Sequence, residues 1–203
     1  VGGDRGTSPG CDSPCNVIVA SLRSGVVIAG ANTRDNRVQG NFLGVDPLTN
    51  QARGNQFFGV VIQQGASLNL IGGARTTTTC TGPCNVIAGN LASGVQLGGA
   101  GTQENRVEGN YVGAVTLGNS GVMTLPNALN GIDLVNGAIE NSVGGQRSGE
   151  QCTGSCNLIG GNLLDGIVLM GAATAFNRVL GNQIGVAADN QRLLPNEGNG
   201  IAT

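Results

Sequence analysis

The sequence predicts an all-β fold: a right-handed parallel β-helix of about six turns of about 35 residues, running through residues 1–203 as a single β-solenoid domain. Three observations carry this reading. Gly-[Val/Ile]-x-[Ile/Leu] starts at Gly25, Gly59, Gly94, Gly131 and Gly166, and again at Gly200 with Thr in its last place, giving steps of 34, 35, 37, 35 and 34. Ten or eleven residues after each of the first five glycines stands Asn-x-[Val/Ile]-x-Gly, at Asn36, Asn69, Asn105, Asn141 and Asn177. A longer period is superposed, because Cys11-x-x-x-Cys15-Asn16 returns as Cys80-x-x-x-Cys84-Asn85 and Cys152-x-x-x-Cys156-Asn157, at steps of 69 and 72.

Each conserved-phase run alternates apolar with small or polar residues over a few positions and stops at Gly or Asn, which is the strand signature. Val60, Ile62 and Ile71 are expected to face one interior. A strand that short cannot bury its apolar face alone, so successive units must stack. An antiparallel β-sandwich also has many short strands, but its strands need not share residues at one phase. The recurrence in five consecutive units favours the solenoid.

Composition removes whole chemistries. The chain holds 37 Gly and 23 Asn, with neither Lys, His nor Trp, and all ten basic residues are Arg. Without His it has no imidazole base or usual imidazole metal site, and without Lys no Schiff base. No cofactor and no catalytic constellation is therefore expected. A net charge of -2 argues against nucleic acid as a partner, and no apolar run is long enough for membrane insertion.

Recurrent Asn at a strand entrance suits a bend, because its amide tolerates left-handed backbone and bonds neighbouring main chain. Stacked turns would set Asn36, Asn69, Asn105, Asn141 and Asn177 into a structural ladder, each amide donating to the next. Asn41, Asn90, Asn110, Asn162 and Asn182, the Asn of Gly-Asn, are assigned to further bends. A polar row binding carbohydrate or ions is the functional alternative.

The cysteines yield to geometry. Equivalent pairs recur every second turn, about 9.6 Å apart along the axis, whereas a disulfide needs Cα atoms within about 7 Å. Pairing is thus expected within each loop: Cys11 with Cys15, Cys80 with Cys84, and Cys152 with Cys156. Two thiols per loop are too few for zinc, and a redox pair favours Cys-x-x-Cys beside a helix. Three disulfides imply an oxidising compartment, extracellular or at the cell surface.

Arg37, Arg106 and Arg178 follow ladder asparagines and by alternation point outward. They read as a solvated face that discourages sideways aggregation, with a stripe for sulfated or uronic polymers as the alternative. The threonine run 76–79 has no counterpart in the other cysteine-bearing turns, so a flat threonine array is not supported. Asp46, Glu108, Asp133 and Asp165 lack near carboxylate partners in sequence, though stacking can bring such residues together.

The strings Gly-Asn-Phe-Leu-Gly-Val-Asp (40–46), Gly-Val-Val-Ile (59–62), Asn-Leu-Ile-Gly-Gly (69–73) and Cys-Asn-Val-Ile-Ala-Gly-Asn (84–90) resemble the right-handed parallel β-helix repeats of large bacterial extracellular proteins, within the pectin-lyase-like superfamily. The resemblance covers essentially the whole chain and implies architecture; most such repeat proteins have no assigned activity. Enzymes of that superfamily carry clustered Asp, Arg, Lys or His motifs, and no such cluster maps onto one turn here.

Val1-Gly2-Gly3 aligns with Ile71-Gly72-Gly73, and Gly200-Ile201 with Gly131-Ile132, so the sequence opens and closes mid-unit without a polar or helical cap. The expected function is an extracellular structural protein: a segment or subunit of a fibre or stalk whose partners are copies of itself or further repeats of the same chain, end to end. The alternative is a polysaccharide-binding or polysaccharide-cleaving β-helix. That alternative calls for Phe42, Phe57, Phe58, Tyr111 and Phe176 to converge with acidic residues on one cleft.

Overall fold

The computed structural model describes residues 1–12, 14–116 and 121–203. Among them there is no helix, and three parallel stacks of short strands build a β-solenoid. One stack holds β1 (Val17–Ile18), β4 (Phe42–Leu43), β9 (Val86–Ile87), β12 (Tyr111–Val112), β17 (Leu158–Ile159) and β20 (Gln183–Ile184). The next holds β2 (Val26–Ala29), β7 (Val60–Gln63), β10 (Val95–Gly98), β15 (Ile132–Val135), β18 (Ile167–Met170) and β21 (Ile201–Ala202). The last holds β3 (Arg37–Val38), β8 (Leu70–Gly72), β11 (Arg106–Glu108), β16 (Ser142–Gly144) and β19 (Arg178–Leu180). Six strands in a stack are separated by five steps, so about five turns are completed. At a strand spacing of about 4.8 Å the stack is about 24 Å long.

Register places like on like. Val60, Val95 and Ile132 lie in one column, Ile62, Leu97 and Leu134 in a second, and Ile71, Val107 and Val143 in a third. Leu43, Ile87, Val112 and Ile159 come from the β1 stack and complete one interior with them. All of these side chains are fully buried. Burying each stabilises by about 1.5–3 kcal/mol relative to exposure, and a one-residue slip of a strand would turn its buried side chains to the other face.

A second apolar cluster lies outside the solenoid wall. The outward residues of the β1 stack, Phe42, Val86, Tyr111 and Leu158, are covered by the Cys80–Cys84 and Cys152–Cys156 loops. Antiparallel pairs formed by β5 (Val45–Asp46) with β6 (Gln51–Ala52), and by β13 (Ala114–Thr116) with β14 (Val122–Thr124), flank the same face. These pairs arise from the long polar loops after alternate Gly-Asn strands.

The bends correct one expectation. The ladder asparagines do not take the left-handed backbone; the residue before each does, with φ of 60° at Asp35, 58° at Leu68, 55° at Glu104, 55° at Glu140 and 58° at Phe176. Each non-glycine residue there costs about 1–2 kcal/mol. The asparagine itself stays out of the left-handed region, and its amide lies along the stack.

Glycine is required for a different reason where turns touch. At Gly109, with φ of +66°, a methyl group would lie 1.9 Å from the Gly73 carbonyl oxygen, whereas at Gly6, with φ of +60°, it would meet nothing within 4 Å. Gly6→Ala should therefore cost about 1–2 kcal/mol and Gly109→Ala at least about 3 kcal/mol in denaturant melts. Equal costs would show that the close approach of turns is not what selects glycine.

Candidate functional site

Eleven asparagines are at most 1% exposed: Asn41, Asn55, Asn69, Asn85, Asn90, Asn105, Asn110, Asn127, Asn141, Asn157 and Asn162. A buried amide without partners costs about 1–3 kcal/mol, so their bonding decides whether the fold is possible. All eleven belong to three ladders. The first runs Asn36, Asn69, Asn105, Asn141, Asn177, with Nδ2 donating to the next Oδ1 at 2.9, 2.9, 3.0 and 3.1 Å. Asn105 shows the full pattern. Its backbone N–H and Nδ2 both donate to Asn141 Oδ1 at 3.0 Å, and Nδ2 also donates to the Ala66 carbonyl at 3.0 Å. Its own Oδ1 accepts from Asn69 N and Nδ2.

The remaining asparagines divide differently from their motifs. Asn41, Asn110 and Asn182, from Gly-Asn, interleave with Asn16, Asn85 and Asn157, which follow the cysteine loops, at 2.9–3.1 Å. Asn90 and Asn162, also from Gly-Asn, stack instead with Asn55, Asn127 and Asn196 at 2.8–3.0 Å.

The cysteines of each loop are bonded within it, with Cα separations of 5.3 Å for Cys11–Cys15, 5.3 Å for Cys80–Cys84 and 5.2 Å for Cys152–Cys156. Ser13 of the first loop lies outside the described residues. Two loops are held by arginines that lie outside the repeated Gly and Asn motifs. Arg5 Nη2 donates to the Cys80 and Cys84 carbonyls at 2.8 and 3.0 Å, while Nη1 holds the Pro9 and Gly10 carbonyls. Arg75 repeats the arrangement on Cys152 and Cys156 at 2.8 and 3.1 Å, with Thr77 and Thr78 carbonyls on its Nη1. These two carbonyls give a structural use for the threonine run. The guanidinium planes cover Phe42 at 4.6 Å and Tyr111 at 5.0 Å from the ring centroids, a favourable cation–π geometry.

Burial lowers the Arg5 pKa to about 10, with Asp12 and Asp4 opposing it, so the group is still charged at neutral pH. Burial likewise lowers Arg75 and raises Tyr111, whose hydroxyl donates to the Thr78 carbonyl. A signal for these arginines was present: Arg5, Arg75 and Arg147 each end a Gly-Gly-x-Arg string. Nothing in the string says that the side chain crosses to another turn.

A surface depression of about 860 Å³ runs along the outer face of the β3 stack. Register sets Arg37, Leu70, Arg106, Ser142 and Arg178 in one outward row, so the arginines stand two strands apart. Asp35, Glu104 and Glu140, from the left-handed bends, line the same groove, as does exposed Phe176. The groove thus offers two parallel rows of opposite charge. Arg106 also pairs with Glu108 at 3.3 Å.

The acidic residues singled out from sequence are scattered. Asp46 lies in the β5–β6 pair, and Glu108 accepts from Ser155 Oγ at 3.2 Å. Asp133 and Asp165 come near enough to repel, and each is held: Asn130 Nδ2 donates to Asp133 at 2.9 Å and Asn199 Nδ2 to Asp165 at 2.9 Å. The aromatics do not share a cleft, since Phe42 and Tyr111 lie under arginines while Phe176 lines the groove. Among the described residues, no group of three or more His, Cys, Asp or Glu is arranged for a metal, and no helix is long and apolar enough to cross a membrane.

No protein-family model, curated protein or solved structure matches this chain at a significant level.

Two outcomes are expected. Asn105→Ala should cost about 1–3 kcal/mol by orphaning stacked amides, and Arg106→Ala no more than about 0.5 kcal/mol, by denaturant melts. Comparable effects would mean that water replaces the ladder. Asp133 gives a pH test, because burial pushes its carboxyl up against hydrogen bonds from Ser93, Asn130 and Gln96, and Asp165 raises it further. The folded chain then keeps a proton that the unfolded chain has released, so stability falls as pH rises from about 4 towards neutral. Asp133→Asn should flatten that fall; an unchanged pH profile of melting would refute it.

Proposed function

We propose that this chain is an extracellular structural protein, a segment or subunit of a β-solenoid fibre or stalk whose turns continue end to end, in copies of itself or in further repeats of the same chain. The observation that carries the reading is the polarity of the asparagine ladders. Every backbone N–H and Nδ2 bond between rungs points the same way, from Asn16 towards Asn182 and from Asn36 towards Asn177. The face at Asn16 and Asn36 therefore offers amide oxygens, and the face at Asn177 and Asn182 offers N–H groups. Such faces complement each other head to tail and cannot pair face to face with like. Head-to-tail contacts are heterologous and non-closing, which yields filaments.

Apolar surface supports the same reading. Val17 is 43% exposed at the end of the outward column that holds Phe42 and Val86, and Ile201 is 46% exposed at the end of the interior column that holds Ile132 and Ile167. Three disulfides fit an oxidising environment, hence the extracellular placement. The groove with its arginine and carboxylate rows supports a second reading, side-on binding of an anionic polysaccharide.

Sedimentation and negative-stain microscopy over a concentration series test the first reading. Filaments one rod wide are expected, lengthening with concentration and persisting in high salt, because main-chain and amide bonds are screened little. Monomers at every concentration, or rods joined only side by side, would overturn it and bring glycan binding to the groove to the front.

A further inference from the structure

Arg37, Arg106 and Arg178 stand on the first, third and fifth strands of the β3 stack, and Leu70 and Ser142 hold the same outward position on the strands between. The guanidinium groups therefore recur about every 9.6 Å, over about 19 Å in all. Charge repulsion does not impose this spacing. In the neighbouring row Glu104 and Glu140 stand on adjacent turns, each following a residue of the Gln103–Ile139 bridge, so the groove tolerates like charges one strand apart.

These arginines also keep donors to spare. Arg5 and Arg75 spend theirs on the carbonyls of disulfide loops. Among the described residues, by contrast, no ion pair or hydrogen bond occupies the guanidinium of Arg37 or Arg178. Arg106 meets Glu108 through Nη1, but its side chain is 56% exposed, and a guanidinium has five N–H donors. Between the arginines the groove changes in kind: Leu70 is buried and Ser142 half-buried, and both side chains are far shorter than an arginine. Exposed Leu68 and Phe176 interrupt the acidic row with apolar surface.

We propose that this groove binds a polysaccharide that carries a carboxylate on every second sugar, with the polymer lying parallel to the solenoid axis. An extended disaccharide is close in length to two strand spacings, so the carboxylates of successive repeats meet Arg37, Arg106 and Arg178 in turn, each in fork geometry. The neutral sugar between them lies over Leu70 or Ser142. Its C–H face rests on apolar side chains, and its hydroxyls donate to the acidic row. That row sets the selectivity. A polymer charged on every sugar would bring a carboxylate to Ser142, beside Glu140 and away from any arginine of the row, whereas a neutral polymer would forgo the charge-assisted bonds altogether. This inference rests on the second reading above, side-on binding of an anionic polysaccharide, and adds the charge period that selects the polymer.

Calorimetric titration of the 203-residue chain with oligosaccharides of equal length tests this. The probes are hyaluronan, charged on every second sugar, polygalacturonate, charged on every sugar, and a neutral cello-oligosaccharide. Hyaluronan should bind at least about ten-fold more tightly than either of the others, and Arg106→Gln should weaken it at least about ten-fold, the scale of hydrogen bonds to a charged group. Arg23→Gln, outside the groove, should change nothing. Ser142→Arg sets a guanidinium on an intermediate strand and should shift preference towards polygalacturonate, a gain that damage to the fold cannot mimic. Polygalacturonate binding as well as hyaluronan to the unaltered chain, or an unshifted preference in Ser142→Arg, would overturn the charge period and leave an anionic-glycan groove standing. Binding of none of the three, tightest binding of the neutral probe, or hyaluronan binding that Arg106→Gln leaves intact or Arg23→Gln weakens equally would overturn both that groove and this inference.

Discussion

The structure depends on the burial of amides that have no water to bond. Eleven asparagines lie at most 1% exposed inside the bends; ten of them have another asparagine one strand spacing away on either side, and Asn55 has Asn90 on one side and the Ser21 backbone N–H on the other. An amide carries two donors and an acceptor with two lone pairs, which matches what a stack requires: donate forward, donate to the carbonyl of the preceding turn, and accept twice from behind. The match holds only when successive turns are in register. The ladders therefore fix which residue sits above which, and the aliphatic columns of Val, Ile and Leu follow.

Close stacking sets the demands on the corners. Turns that approach within hydrogen-bonding distance leave no room for a Cβ where a carbonyl of the next turn points inward, as at Gly109 beneath Gly73. The left-handed residue before each asparagine of the Asn36–Asn177 ladder turns the chain so that the amide can lie along the axis, and strain is accepted there at Asp35, Glu104 and Glu140. These same bends set acidic side chains opposite the outward arginines, so the charged groove is a by-product of how the ladder is entered.

The longer period has its own physical basis. In the ladder from Asn16 to Asn182 the sequence gap between rungs alternates between 25 residues and 44 or 47, because every second turn carries the antiparallel excursion before reaching the next rung. Excursions and disulfide loops together cover the outer wall of the β1 stack. The arginine clasps tie the Cys80–Cys84 and Cys152–Cys156 loops to a turn two repeats' worth of sequence away, 75 residues for Arg5 and Cys80 and 77 for Arg75 and Cys152. Adjacent double turns are thereby joined by side chains as well as by strands.

The sequence by itself determined the period, the strand positions and the fold class, because in a solenoid every turn solves the same packing problem and must repeat the same residues to do so. Gly-[Val/Ile] and Asn-x-[Val/Ile] at constant phase made stacking legible, and cysteines four residues apart admitted only local pairing. Tertiary structure decided what depends on contacts between different phases. It placed Asn41 with Asn16 and Asn85 but Asn90 with Asn55 and Asn127, though both follow glycine, because the excursions shift which corner each occupies. It also turned Arg5 and Arg75 inward over Phe42 and Tyr111, where an arginine in a polar loop reads as solvated. The physical reason is range: register within a stack is written in the repeat, whereas a long side chain's partner across turns depends on the path of the whole intervening chain.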